Sequence, residues 1–123
     1  MQNVSIIGVG RVGGALALAL PENDFRVTDL VARNSQHADL IAAEIEPKPK
    51  VREKDDLTQF DADIVFITTQ DSEIKKVVHE LKEFKPQKET FVFHTSGSLS
   101  SDVLGKLSEV GYCVGSINPL VCL

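Results

Sequence analysis

Residues 3–14 read NVSIIGVGRVGG, a short apolar run that passes into a glycine motif. The β-branched residues before Gly8 are typical of a strand that is buried on both faces of a parallel sheet. The segment 12–20 is almost entirely Ala, Leu, Val and Gly, which predicts a well-buried helix that ends at Pro21. The pattern G-x-G-x-x-G therefore lies directly between a strand and a helix, and this context makes it informative.

The rest of the chain continues the alternation of strands and helices. Helices are predicted at 35–46 with Ser35 as the N-cap, from 71 or 72 to about 84, and at 101–109 before Gly111, and one helical turn is expected within 55–60. Strands are predicted at 25–31, near 51, and at 64–67, 91–93 and 112–117. The alternation implies right-handed crossovers. We therefore predict one domain, residues 1–123, with an α/β fold of Rossmann type: a doubly wound, mostly parallel sheet of about six strands with helices on both faces.

Each glycine of the motif has a mechanical reason in a nucleotide site. Gly8 permits a tight turn, Gly10 lets the backbone approach a pyrophosphate, and Gly13 lets the helix pack close to the strand. The helix N-terminus then offers N–H groups and a partial positive charge. The alternative is that the glycines serve only helix–strand packing. Arg11, inside the motif, either covers the pyrophosphate or the adenine or is a solvated side chain. A P-loop is excluded, because no Gly-Lys-Ser/Thr follows.

The choice between the two nicotinamide dinucleotides is made after the second strand. An NAD site places Asp or Glu there to bind the ribose hydroxyls. This chain has Arg33, Asn34 and Ser35 instead. The guanidinium of Arg33 can bind a 2′-phosphate through two N–H groups, and the next two side chains can add hydrogen bonds, so we predict NADP(H) as the cofactor. Asp29 is the alternative as a ribose ligand, although two apolar residues prolong the strand beyond it.

Further polar side chains follow two later strands. Thr68 and Thr69 come where the nicotinamide ribose should pass, and Asp71 is either the N-cap of the next helix or a ribose ligand. His94 and Ser96 follow the fifth strand, where they could orient a substrate carbonyl or exchange its proton. A histidine hydrogen-bonded to nearby backbone is the other interpretation of His94. A hydrolase triad is rejected, because the chain has no G-x-S-x-G elbow.

Composition and charge argue against several other classes of protein. The chain has 123 residues, of which 42% are hydrophobic and 25% charged, as in an ordinary globular domain. A net charge of −5 argues against a duplex nucleic-acid binder, which needs a positive surface. Cys113 and Cys122 have neither metal-ligand nor redox spacing and are expected to be reduced and mostly buried. No metal site is expected, and no apolar run suits a membrane span or signal peptide, so we expect a cytoplasmic protein.

Four segments together resemble one group of proteins. They are the glycine motif, residues 33–35, HTSGSLSS at 94–101 and VGSINPL at 114–120. These segments are similar to the Rossmann-like NADP-binding N-terminal domain of the 6-phosphogluconate dehydrogenase-like superfamily, in an oxidoreductase-like family distantly related to pyrroline-5-carboxylate reductase. The resemblance covers nearly the whole chain. Many families share the glycine motif, and the two later segments are more specific.

The resemblance implies an NADP(H)-linked oxidoreductase. It implies cofactor contacts at Gly8, Gly10, Arg11, Val12, Arg33, Asn34, Thr68 and Thr69. It implies a substrate side lined by His94, Ser96, Gly97 and Asn118, although the family usually has His at the last of these positions. In these relatives a helical C-terminal domain follows, closes the substrate cleft and usually makes the dimer. The chain ends at Leu123 without such a domain, on an apolar tail that suggests a cut point or an edge covered by a partner.

Two functions from different classes fit these residues. One is the NADP(H)-binding domain of an oxidoreductase that transfers hydride to or from a small molecule, with the cofactor carrying the chemistry. The other is a non-catalytic NADP(H)-binding or sensing module, or a truncated remnant that acts through a partner chain. We expect a small-molecule substrate, no nucleic acid, no membrane, and either a homodimer or a helical partner domain.

Overall fold

The computed structural model describes residues 2–53, 62–95 and 101–116. The strands within these ranges are β1 Gln2–Ile7, β2 Phe25–Ala32, β3 Lys50–Glu53, β4 Ile64–Ile67, β5 Phe91–His94 and β6 Cys113–Ser116. The α-helices between them are α1 Arg11–Ala19, α2 Ser35–Ala42, α3 Asp71–Leu81 and α4 Gly105–Val110. Short 3₁₀ turns follow α1 at Leu20–Asn23 and precede α4 at Ser101–Leu104. The predicted alternation of strands and helices is thus present.

The six strands form one parallel sheet in the order β3-β2-β1-β4-β5-β6. The chain moves outward from β1 to β3 and then crosses to β4 on the other side of β1, so the strand order reverses between β1 and β4. Ligands of doubly wound sheets bind at such a switch point, beyond the carboxyl ends of the strands. The predicted Rossmann-type α/β fold is therefore confirmed.

Both faces of the sheet are buried. Successive side chains of a strand point to opposite sides, so each strand contributes to a core on either face. In β1, Val4 and Ile6 belong to a core with α1 and α2, whereas Ile7 belongs to the core with α3 and α4. The inner face of α3 is a buried apolar stripe of Ile74, Val77, Val78 and Leu81. Burial of each such side chain stabilises the fold by roughly 1.5–3 kcal/mol, so this stripe holds α3 against the sheet beside the switch point.

The start of α2 lies one residue from the predicted position. Asn34, not Ser35, is the N-cap: its side-chain oxygen accepts hydrogen bonds from the backbone N–H groups of Gln36 and His37 at 3.1 and 3.2 Å. Asn and Ser are both favoured caps, so the local sequence does not separate them. The helix also ends at Ala42 rather than near residue 46.

The ends of α1 and α4 can be compared with the proline and the glycine that predict them. The helix α1 ends at Ala19, but Pro21 lies in the first turn of the 3₁₀ segment rather than stopping helical structure. Proline suits this position, because the N–H that it lacks would have no hydrogen-bond partner in the first turn. Gly111 ends α4 with a left-handed φ of 117°, as predicted. The helical turn predicted within 55–60 lies outside the described residues.

Two further expectations concern the cysteines and membrane spans. Cys113 carries a free thiol in β6 and is half-buried. Cys122 lies outside the described residues. Across 2–53, 62–95 and 101–116, no helix has the length and apolar character that crossing a bilayer requires.

Candidate cofactor site

The glycine motif forms a loop at the carboxyl edge of the sheet, between β1 and α1. The backbone N–H of Gly8 donates to the carbonyl of Val31 at 2.7 Å, and that of Thr68 donates to the carbonyl of Ile7 at 2.8 Å. The loop is thus tied to β2 on one side and to the residue after β4 on the other. These bonds hold the start of α1 at the switch point.

Packing within the loop itself requires glycine at two positions. Gly8 has a φ of +98°, and a Cβ there would lie 2.8 Å from the backbone nitrogen of Thr69. A Cβ on Gly13 would lie 2.0 Å from the carbonyl oxygen of Gly8 and 2.5 Å from Oγ1 of Thr68, which itself donates a hydrogen bond to that carbonyl. Backbone atoms in a tied loop cannot move aside, so larger residues do not fit at either position.

Packing contacts of this kind do not explain why a glycine lies at Gly10. Its φ of −102° lies outside the left-handed region, and a Cβ built there meets nothing within 4 Å. Gly10 is the N-cap of α1, no side chain in the described ranges caps this helix, and its first turn carries no acidic residue. The first N–H groups of a helix have no intrahelical partner and bind phosphates well. The space that a Cβ would take is therefore available to a phosphate group.

A cavity of about 270 Å³ lies beside this loop at the switch point. Apolar side chains from β1, β2 and α3 contribute to its wall, and charged and amide side chains lie among them. The lining consists of Ile7, Gly8, Val9, Gly10, Val31, Arg33, Asn34, Thr68, Thr69, Gln70, Glu73, Lys76, Val77 and Glu80. An apolar slot with a few polar groups, placed beside a glycine loop, has the character of a nucleotide pocket.

Two oppositely charged side chains of the cavity lining are paired. Nη2 of Arg33, which follows β2, lies 2.8 Å from Oε1 of Glu73 in the first turn of α3. The Arg33 side chain is 67% exposed and that of Glu73 27%. The neighbouring Asn34 uses its side-chain oxygen to cap α2, so its amide N–H groups are what it can offer a ligand.

Asp29, the alternative ribose ligand, is held inside the fold. It lies within β2, three positions before the last strand residue, and is 6% exposed. One carboxylate oxygen accepts hydrogen bonds from Oγ of Ser5 at 2.9 Å and Oγ1 of Thr28 at 3.0 Å, and the other lies 3.0 Å from Nε of Arg52. Because its carboxylate is committed to these partners, Asp29 is not presented at the edge where a ribose would bind.

The segment after β4 contributes one hydroxyl that fits a ligand. Oγ1 of Thr69 is buried without a hydrogen-bond partner in the described structure, although the residue lines the cavity. A buried polar atom without a partner is unfavourable, and a ligand group could satisfy it. Asp71 is the first residue of α3, and Gln70 occupies the N-cap position, so the N-cap interpretation of Asp71 is wrong. An acidic side chain in the first turn still stabilises the helix through its attraction to the positive end of the helix dipole.

The comparison with known proteins agrees with this architecture. The profile of the Rossmann-like domain family matches residues 1–119. The chain belongs to the Rossmann-like domain family. No curated protein gives a significant match.

Solved structures with the same fold carry oxidoreductase names. The Rossmann-like domain is similar to a proposed NADP oxidoreductase from Bacteroides fragilis, with a TM-score of 0.75 and 21% identity over 95% of this chain and 43% of that one. It is also similar to prephenate dehydrogenase from A. aeolicus in complex with hydroxyphenyl propionate and NAD+, with a TM-score of 0.74 and 19% identity over 100% of this chain and 43% of that one. Shikimate dehydrogenase from Mycobacterium tuberculosis has a TM-score of 0.67 and 18% identity, over 93% of this chain and 43% of that one. The chain thus spans less than half of each of these structures.

The Rossmann-like domain brings part of the predicted cofactor set to one cavity. The predicted residues that line it are Gly8, Gly10, Arg33, Asn34, Thr68 and Thr69. The predicted residues that do not line it are Arg11, Val12, Gly13, Ser35 and Asp71. Of the second group, Arg11 and Asp71 are exposed at the first positions of α1 and α3, so both stay predictions as cofactor contacts.

The predicted substrate side is only partly described. His94 is the last residue of β5, is fully buried, and does not line the cavity. Ser96, Gly97 and Asn118 lie outside the described residues. A catalytic role for His94 and Ser96 therefore stays a prediction.

Sequence reasoning missed the contribution of α3 to the cavity. Glu73, Lys76, Val77 and Glu80 all line it. Their spacing of three, four and seven residues from Glu73 places them on one face of the helix. Of these four residues, only Val77 belongs to the buried apolar stripe of α3. A polar row beside an apolar stripe, on the helix that follows the switch-point strand, was the signal that could have revealed them.

Proposed function

We propose that this Rossmann-like domain binds NADP(H) as the cofactor domain of an oxidoreductase that transfers hydride to or from a small molecule. The observation that carries the proposal is Gly10. Gly8 and Gly13 are explained by packing alone, whereas the missing side chain at Gly10 leaves space in front of an uncapped helix N-terminus. A pyrophosphate that approaches the backbone supplies the reason for a glycine at that position.

The preference for the phosphorylated cofactor rests on Arg33. Its guanidinium lines the cavity just after β2, where the adenosine ribose of a bound dinucleotide lies. A charge-assisted hydrogen bond to the 2′-phosphate contributes about 1.5–3 kcal/mol, which corresponds to roughly 10- to 150-fold in affinity. The acidic residue that an NAD site would use has no counterpart there, because Asp29 is committed inside the sheet.

A second candidate function is a non-catalytic NADP(H)-binding or sensing module. The observation that favours it is the content of the cavity: its described lining has groups suited to binding but no histidine, and His94 is buried away from it. In either function the bound nicotinamide supplies the redox chemistry, and the residues of this chain hold and orient the cofactor.

The motif resemblance supports a finer version of the proposal. From it we infer that the domain belongs to the 6-phosphogluconate dehydrogenase-like superfamily and acts on a small-molecule substrate, and we also propose a cytoplasmic location. In that arrangement a helical partner domain or a second copy of the chain completes the substrate cleft.

The test of cofactor binding is a calorimetric titration of the chain with NADPH and with NADH. We expect NADPH to bind more tightly, and Arg33→Ala to weaken NADPH by about tenfold or more while changing NADH little. Arg26→Ala is the matched control, because Arg26 is an exposed arginine near the opposite end of β2. If the folded chain binds neither cofactor at about 1 mM, the upper end of ordinary KM values, the proposal fails.

Turnover separates the two candidate functions. An oxidoreductase oxidises NADPH when imines, ketones or aldehydes are supplied, with the chain alone or together with a helical partner domain. A binding module gives the same titration curves without turnover. The loss of NADPH absorbance over time measures this difference.

A further inference from the structure

In the Arg33–Glu73 pair, a carboxylate contacts the guanidinium that binds the 2′-phosphate of NADP(H) under the proposed function. The two residues are 40 positions apart in the chain, yet their side chains meet at 2.8 Å and both line the cavity. The guanidinium therefore has a carboxylate partner within the protein. A phosphate that binds Arg33 must therefore displace this carboxylate or share the guanidinium with it.

Structural roles do not account for Glu73 at this place. An exposed ion pair adds little to stability, because water screens the charges and two long side chains must be ordered. The positive end of the α3 dipole already has Asp71 in the same helical turn. What distinguishes Glu73 is its position: it lies in the cavity and on the guanidinium of Arg33.

We propose that Glu73 is a specificity-determining residue, which limits how strongly the domain prefers the 2′-phosphorylated cofactor over the unphosphorylated one. This inference rests on the proposed function. The carboxylate competes for Arg33 and repels the phosphate, and both effects oppose NADPH alone. NADH carries hydroxyl groups at this position, which a carboxylate does not repel and from which it can accept hydrogen bonds, so Glu73 does not oppose NADH.

The direct test is Glu73→Gln, which keeps the shape of the side chain and removes its charge. We expect NADPH to bind about fivefold more tightly, the factor that corresponds to the upper range of an exposed ion pair, and NADH to bind no more tightly than it does to the wild type. Adenosine 2′,5′-bisphosphate and AMP should repeat this contrast in calorimetry, because they isolate the end of the cofactor that differs. The gain should shrink as salt concentration rises.

Two controls separate a local effect from a general change of charge. Glu22→Gln removes the same charge from the exposed 3₁₀ turn after α1 and should leave both affinities unchanged. In the Arg33→Ala background, Glu73→Gln should lose most of its effect on NADPH, because the two residues act as a coupled pair. A gain that persists fully without Arg33 overturns the proposed competition.

The outcomes distinguish this inference from the function on which it rests. If the wild-type chain and Glu73→Gln both fail to bind any of these nucleotides, the proposed function fails. If the wild type binds NADPH and Arg33→Ala weakens it, but Glu73→Gln leaves the ratio of NADPH to NADH affinity unchanged or lowers it, the proposed function stands and the role of Glu73 is wrong.

Discussion

Replacing Gly10 by alanine separates the folding role of the glycine loop from its binding role. A Cβ at Gly10 meets no atom of the protein within 4 Å, and the residue has a φ of −102°. The variant Gly10→Ala should therefore fold as the wild type does. The added methyl group occupies the space through which we propose that a pyrophosphate reaches the N-terminus of α1, so cofactor binding should be weakened.

The structure allows both effects to be estimated. Alanine restricts the unfolded chain, which favours the folded state, but it is a poorer N-cap than glycine and has to adopt the ψ of −143° found at this residue. Because the added Cβ meets no atom, we expect the free energy of unfolding to stay within about 2 kcal/mol of the wild type. Loss of one hydrogen bond from a backbone N–H to a charged phosphate costs about 1.5–3 kcal/mol, which weakens NADPH binding roughly 10- to 150-fold.

Urea unfolding and calorimetric titration with NADPH measure the two quantities on the same sample. Gly105→Ala is the matched control, because a Cβ there also meets nothing within 4 Å, but this glycine lies at the start of α4 and outside the cavity lining. Its NADPH affinity should equal that of the wild type. If Gly10→Ala is folded and binds NADPH within about twofold of the wild type, the pyrophosphate does not lie where we place it.

Two stability measurements test the loop and the acid response of the fold. Gly13→Ala places a Cβ 2.0 Å from the carbonyl oxygen of Gly8, so urea unfolding should show a loss of about 1–3 kcal/mol or more, and an unchanged midpoint would contradict the packing of this loop. The backbone N–H of Asn3 donates a hydrogen bond to Asp63 and lowers the pKa of its carboxyl group below the usual value of 3.8, and the nearby Lys88 also lowers this pKa. Because the folded-state pKa is depressed, this stabilisation is present above the unfolded pKa and is lost as pH falls through the folded one. Asp63→Asn should therefore reduce the loss of stability below about pH 4 in urea midpoints, and equal pH profiles would show that Asp63 makes no such contribution.

The amino-acid sequence by itself determined the fold class and the location of the glycine loop. Strand and helix periodicity are short-range properties, and the run before Gly8 followed by an apolar helix is a pattern in which each residue constrains its near neighbours. Arg33 was located because it follows a strand whose end could be read from its apolar residues. Local preference failed where two choices are nearly equal, as at the N-cap of α2, where Asn34 and Ser35 are both suitable.

Only the tertiary structure decided which charges meet and which side chains are available to a ligand. The pairing of Arg33 with Glu73 joins residues 40 positions apart, and the burial of Asp29 depends on its register with β1 and on the approach of Arg52 from β3. The full burial of His94 follows likewise from the packing around β5. Electrostatic pairing and burial depend on distances between elements, and the register of the sheet and the packing of the helices set those distances collectively. No short window of sequence contains them.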